Sequence, residues 1–294
     1  MTKAYIILAH KNAVQIKRLI ESLEDGLSHF FLHLDLKSGI KISDIGLNSY
    51  VKVSPVESIN SNWGRFELVQ ATLNAMALIK QQPVKFDRII LLSGQDYPIK
   101  SNEYINDFYQ YSDYSIFLDH FSIPDYKKWS SNGGLYRIDK YFFGFSRFLK
   151  FIARIVNFLA LFIKCLQRTI KTELKHYHGS QWWTIDSYSL NYILNYISEH
   201  PEYITFHKYT FAPDELFFHT IILNADDTQI ISKIFNDNKM LMKWENEFIA
   251  HPEILDRNDL ETLKISDSLF ARKFDIKVDV VVLDMIDQLR LTQK

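Results

Sequence analysis

Through the first 120 residues, apolar runs of strand length alternate with segments of helical periodicity, and that alternation leaves few folds open. Ala4 to His10 is Ile-rich and apolar, as expected of a strand buried on both faces. Ile16, Leu19, Ile20 and Leu23 then recur at helical spacing until Asp25-Gly26 stops them. His29 to Asp35 reads as a second strand and Val51 to Ser54 as a weaker third. Arg65 to Gln82 reads as a long helix with Leu68, Ala71, Ala75 and Met76 on its apolar face. Arg88 to Gly94 and Ser115 to Asp119 are further strands. The alternation predicts an α/β fold with a mostly parallel central sheet and flanking helices.

The second half is less regular. Gly179 to Ile185 reads as a strand, followed by a helix capped at Asp186 and running to about His200. Pro213-Asp214-Glu215 opens another helix through Phe217, Phe218, Ile221 and Ile222, since Pro and acids favour a first turn. No linker or repeat divides the chain, so residues 1–294 are expected to form a single domain with halves at 1–120 and 121–294. A net charge of −1 gives no global field for nucleic acid. One cysteine, Cys165 in an apolar run, excludes a disulfide framework and reads as a buried hydrophobe. The N-terminal MTKAYIILAHKN enters a strand without a signal stretch, which favours a cytoplasmic setting.

In open α/β sheets, ligands bind beyond the carboxyl ends of the strands. Three strands here end in polar signatures: Ala9-His10-Lys11, Asp35-Leu36-Lys37 and Ser93-Gly94-Gln95-Asp96. Turns are polar in any protein, so placement alone does not decide. Fingerprints for dinucleotides, P-loops and zinc proteases are missing, as is any Asp-x-Asp of the kind that holds a metal on a nucleotide diphosphate. No tight metal site is expected.

Seven segments, in order, resemble the core-2/I-branching N-acetylglucosaminyltransferase and peptide xylosyltransferase family. AYIILAHKN, HLDLK, SNWGRFELVQATLN and LLSGQDYPIKSN are similar to its nucleotide-binding half. GSQWWTI, FAPDELFFHTIILN and SLFARKFD are similar to its acceptor and catalytic half. The resemblance implies a GT-A-type, Rossmann-like fold and an inverting transfer from a UDP-sugar without a metal or other cofactor. It places the catalytic base at Glu215, and it assigns the metal's part at the diphosphate to Arg272 and Lys273. It puts Asp35 on the uracil or ribose, beside the backbone of Ala9 and His10, with Asn62, Trp63 and Arg65 completing the donor pocket. Asp96 would touch the donor sugar or brace its turn. Trp182 and Trp183 face opposite ways on a strand, so one would pack in the core while the other stacks on an acceptor sugar. Arg137 is a further acceptor-side candidate. The branching enzymes carry another arginine upstream; the stretch Ile249-Ala-His-Pro-Glu253 offers none, and the adjacent Arg-Lys pair looks more like the xylosyltransferases.

Arg147 to Lys171 does not follow from the family. It holds six cations and no acid, and at ~100° per residue all six fall within an arc of about 120° on one continuous helix. The uncharged stretch Ile155 to Ile163 is far shorter than the ~18–20 residues of a membrane span. Two readings stand: a helix lying on an anionic bilayer, or a core helix whose Lys and Arg stems snorkel.

The expected activity is transfer of N-acetylglucosamine from UDP-N-acetylglucosamine to a hydroxyl of a glycan or lipid-linked saccharide. A bacterial-type enzyme of surface polysaccharide synthesis, peripheral on the inner face of the cytoplasmic membrane, fits that expectation. The rival activities are xylosyl or glucuronosyl transfer. The rival from another class is a non-catalytic membrane-associated scaffold.

Overall fold

The structure is a computed structural model that describes residues 1–130, 132–168, 174–245 and 251–292. Its ten strands are β1 (Lys3–Ala9), β2 (Ser28–Leu34), β3 (Val53–Val56), β4 (Arg88–Ser93), β5 (Asp96–Pro98), β6 (Ile116–Ser122), β7 (Tyr177–Ile185), β8 (Ile234–Phe235), β9 (Met240–Met242) and β10 (Phe270–Arg272). Seven form one sheet in the order β3-β2-β1-β4-β7-β6-β8, and β5-β10-β9 form a second. In the large sheet only β7 runs antiparallel to its neighbours, β4 and β6. The mainly parallel α/β architecture is the one the alternation predicts.

Every residue of β1 is buried, because it lies mid-sheet with layers on both faces. The chain steps outward from β1 to β2 and β3, then returns to pair β4 on the other side of β1. That reversal leaves a crevice at the carboxyl ends of β1, β2 and β4. The helix Glu67–Lys80 packs on β1, β2 and β3 and meets the helix Ser187–Glu199. The helix Phe217–Leu223 packs against β7 and the helix Ser187–Glu199. One apolar core runs from β1 to the last helix, Val281–Thr292. Trp183, Phe217 and Phe218 are among its largest fully buried side chains, and truncating such a ring to alanine costs about 3–5 kcal/mol.

The fold revises several expectations. Pro213–Glu215 is a single 3-10 turn, separated from the helix Phe217–Leu223 by Leu216 at φ −131°. Glu215 therefore does not belong to the first turn of a continuous helix. The helix beginning at Arg147 ends at Leu159, so the single-helix arc of six cations does not form, and Lys171 lies outside the described residues. Arg168 turns inward, donating to the carbonyls of Lys140 and Phe206 and to Thr210 Oγ1. Cys165 is exposed rather than buried. Among the described residues no helix is long and apolar enough to cross a membrane.

Candidate active site

A cleft of about 380 Å³ opens over the ends of β1, β2 and β4. His10, Asp35, Ser93 and Gln95 line its floor, Trp63 one wall, and Gln181, Trp182 and Arg272 the other. Asp35 receives hydrogen bonds from the backbone N–H of Lys37 at 2.8 Å, the N–H of Ser61 at 3.1 Å, and Ser61 Oγ. Burial works against its ionisation, but these bonds and the Lys37 charge hold its pKa below the usual carboxylate range. An ionised carboxylate offers about four acceptor sites, so one is left for a ligand hydroxyl or imide. Ser61 comes from the loop after β3, which His33 also steadies by accepting the N–H of Ile59 at 3.2 Å.

Arg272 is built in by strand pairing. β10 runs antiparallel to β5 and sets Arg272 opposite Asp96. Its guanidinium lies 3.5 Å from the Asp96 carboxylate and stacks over the Trp182 ring, 4.2 Å from the centroid. Its Nε and Nη1 are buried and, among the described residues, make no hydrogen bond. Nη1 faces Asp96, and the rest of the guanidinium reaches the cleft lining, where a fixed cation suits an anion. Asp96 is fully buried; burial raises its pKa against the opposing pull of Arg272 and Ser93. Gln15 and Gln95 both donate to the Phe274 carbonyl, at 3.0 and 3.2 Å, pinning the chain just after β10.

Positive charge gathers around Arg272. Lys273 is held below the usual lysine range by burial, then by its neighbours Lys11 and Arg272. His10 and His251 are likewise lowered by burial and by the surrounding cations. Asp275 answers Lys11, at 2.6 Å. Burial is the larger cause of each shift; the smaller part, the neighbouring cations, is a positive potential that favours an anion. Among the described residues no group of three or more His, Cys, Asp or Glu side chains is placed to hold a metal ion.

A second charged centre sits on the turn Pro213–Glu215. Glu215 Oε2 accepts from Arg137 Nη1 at 2.6 Å and from His178 Nε2 at 2.9 Å, whereas Oε1 makes no bond among the described residues. The Glu215 side chain is 32% exposed. Burial opposes its charge, but the His178 bond and the Arg137 cation outweigh that and depress its pKa. His178 is lowered by burial, so the neutral ring carries its proton on Nε2 and donates it to Glu215. Asp214 moves the other way: burial and the adjacent Glu215 charge raise it to about 7. Next to His178, Gly179 lets β6 pass close to β7, because a Cβ there would lie 1.7 Å from the Asp119 carbonyl oxygen. The two centres share a wall. Gly64, at φ 71°, accepts the N–H of Ala212 at 2.9 Å, and the Phe211 ring packs on both Trp63 and Arg137.

His10, Asp35, Trp63, Arg272 and Trp182 line the cleft as one set. Other expected residues take different places. Ala9 is buried, and its carbonyl accepts the N–H of Asp35. Asn62 accepts from Lys37 Nζ at 2.6 Å, and Arg65 pairs with Glu67 at 3.1 Å; both stand behind the cleft wall. Asp96 braces Arg272 and has no exposed surface for a sugar. Trp183 packs on Phe218 in the core, so neither tryptophan is a free acceptor platform. Arg137 is buried and occupied by Glu215, not held open for an acceptor. His178, Lys37 and Ser61 were missed. Lys37 was visible at the end of β2, but nothing local marks His178. A larger hollow, about 480 Å³, lies between the helices Ala13–Leu23 and Val281–Thr292. Its Arg18 and Arg290 already pair with Asp287, so it offers no comparable chemistry.

The core-2/I-branching enzyme family matches residues 3–265, a span that takes in Asp35, Arg137, His178 and Glu215 and stops short of Arg272. A β-glucuronosyltransferase of Arabidopsis thaliana is 24% identical over 97% of this chain and 65% of its own length. Xylosyltransferase 2 of Rattus norvegicus is 24% identical over 97% of this chain and 33% of its own. A β-1,3-galactosyl-O-glycosyl-glycoprotein β-1,6-N-acetylglucosaminyltransferase 4 of Mus musculus is 22% identical over 95% of this chain and 63% of its own. The chain thus spans between a third and two thirds of these relatives. Apo mouse xyloside xylosyltransferase 1 superposes with a TM-score of 0.36 at 10% identity, over 92% of this chain and 97% of that one. Matched from β1 to the helix Leu260–Ile265, the chain belongs to the core-2/I-branching enzyme family.

Proposed function

We propose that the protein transfers a sugar from a UDP-sugar to a hydroxyl of a glycan, inverting the anomeric centre, without a metal. The observation that carries this reading is the placement of two charges across one wall: a Glu215 carboxylate oxygen that makes no bond among the described residues, and the Arg272 guanidinium in the cleft lining. In the single displacement, Glu215 Oε1 takes the proton of the acceptor hydroxyl as its oxygen bonds to the anomeric carbon. The bond from that carbon to the diphosphate breaks, and its electron pair leaves on the β-phosphate oxygen. Arg272, with Lys273 and Lys11, neutralises that charge where a metal would otherwise stand. Asp35 holds the nucleoside at the end of β2. Arg137 and His178 both bond Oε2, which orients the carboxylate and directs Oε1 to the substrate.

The three relatives above are named for glucuronosyl, xylosyl and N-acetylglucosaminyl transfer. For this chain we propose N-acetylglucosamine. Titrating UDP and a panel of UDP-sugars by calorimetry, then assaying release of UDP with saccharide acceptors, tests the reading. Micromolar UDP binding with N-acetylglucosamine preferred supports it. A chain that binds no UDP is not such an enzyme, and one that prefers another sugar loses the donor assignment alone.

A further inference from the structure

The helix Arg147–Leu159 has no buried residue, although most of its side chains are apolar. It is nonetheless fixed to the body. Ser146 caps its start by accepting the N–H of Leu149 at 3.2 Å. Near its end, Asn157 donates to the Tyr141 carbonyl at 3.0 Å and accepts the Tyr141 N–H at 2.7 Å. Leu149, Ile152 and Val156 lie half-buried on the side that faces the protein.

The outward side divides into two strips. At ~100° per residue, Arg147, Lys150 and Arg154 fall within about 60° of one another. Phe148, Phe151, Ile155, Phe158 and Leu159 fill the adjoining arc of about 100°. Phe148, Phe151 and Phe158 are 70%, 60% and 61% exposed. Leu161 and Phe162, in the turn that follows, extend the apolar strip at 62% and 74%. Between residues 147 and 168 there is no Asp or Glu, in a chain whose net charge is only −1.

We propose that this face docks on an anionic lipid bilayer, with the phenylalanines at the acyl boundary and Arg147, Lys150 and Arg154 on the headgroup phosphates. Charge decides the occupant. Two copies of the chain joined through this face would bring like cation strips together, which disfavours a dimer. An anionic bilayer answers both strips at once. Thirteen residues make a helix of about 20 Å, long enough to lie along the surface and too short to span. The face also adjoins the cleft: Phe145, just before the helix, stacks on Trp63 with centroids 5.3 Å apart. Docking would therefore hold the cleft beside the membrane, where a lipid-linked acceptor would present its saccharide. Binding to the bilayer is measured without donor or acceptor, so its failure would leave the proposed transfer untouched.

The experiment is cosedimentation of the full chain with vesicles of phosphatidylcholine alone and with about a third phosphatidylglycerol. The expected result is binding to the anionic vesicles at least ~10-fold above the neutral ones, most of it lost in 0.5 M salt, where screening shortens to a few ångströms. The triple variant Arg147→Glu, Lys150→Glu, Arg154→Glu should lose that binding while keeping the wild-type melting temperature and UDP affinity. In case that variant fails to fold, Phe151→Trp provides a second reading, its emission moving to the blue on anionic vesicles only. Equal binding to both vesicle types, no binding to either, or an unshifted tryptophan overturns the proposal. A concentration-dependent dimer that Phe151→Ser dissociates, without vesicle binding, overturns it in favour of a second copy.

Discussion

The two charged centres of the site are assembled by opposite means. Arg272 is placed by backbone, through the β5–β10 register that sets it against Asp96 from a segment 176 residues earlier. Glu215 is placed by side chains, through Arg137, 78 residues away, and His178, 37 residues away. The cation keeps a loose pair with Asp96, at 3.5 Å, and stacks on Trp182. The anion is saturated on one oxygen and open on the other. A loosely paired cation recruits an anion, whereas a carboxylate restrained on one side is aimed. The proposed transfer needs that difference, between a group that binds and a group that reacts.

The sharpest test of that contrast is Glu215→Gln, which keeps the shape and removes the base. Transfer is expected to fall by about 10²–10⁴, with UDP affinity unchanged. If turnover with a verified acceptor stays near wild type, the aimed carboxylate is not the base. Next in size, Asp96→Ala strips the counter-charge from a buried guanidinium. It should lower unfolding free energy by about 3–5 kcal/mol in denaturant titrations, the usual cost of breaking a buried pair. An unchanged midpoint would mean that Arg272 is carried by Trp182 stacking alone.

On the binding side, Arg272→Ala should weaken UDP by about 1–3 kcal/mol, the scale of a lost charge-assisted contact, and Lys273→Ala by less because Arg272 is in the cleft lining and Lys273 is not. Equal losses would redistribute the diphosphate contact. The acid pair provides a further test with opposite signs. Glu215, depressed on folding, stabilises above the ordinary carboxylate range and ceases to do so as pH falls through its lowered value. Asp214, raised to about 7, stabilises below the ordinary range, and that contribution is lost as pH rises towards 7. Melting temperatures of Asp214→Asn should therefore gain on wild type as pH rises from about 4 to 7. A constant gap would mean that folding leaves the Asp214 carboxyl unshifted. The smallest expected effect is none: EDTA should leave transfer intact if Arg272 and Lys273 fill the metal's part. Loss of activity restored by manganese would assign that part to a metal.

Much of the cleft floor was legible because its residues are tied to local pattern. A run of buried apolar residues makes β1, β2 and β4, and their carboxyl ends must carry whatever binds there, so His10, Asp35 and the Ser93–Asp96 turn could be read in advance. The same logic overreached at Ala9 and Asp96, where proximity to the cleft did not mean facing it. The Glu215 centre was legible only as a motif. Local pattern assigns Pro213-Asp214-Glu215 to a helix start, whereas the observed turn breaks at Leu216 and its charge is balanced by distant residues.

The sequence by itself determined the mainly parallel sheet, the ends of its strands, and the presence of an apolar, cationic segment after Arg147. These rest on continuous apolar runs of strand length and on a periodicity of 3.6 residues, which are set within each segment. Only the tertiary structure decided that Trp182 lies under Arg272 while Trp183 packs on Phe218, and that Arg137 and His178 close on Glu215. It also decided that the helix Arg147–Leu159 turns its phenylalanines to the outside, anchored by Asn157. Each of these is a choice among partners for a charge or a ring. A buried charge takes whichever counter-charge chain closure brings within reach, and an amphipathic helix buries a face only if the body leaves room for it. Neither condition is encoded within a few residues of the group it governs.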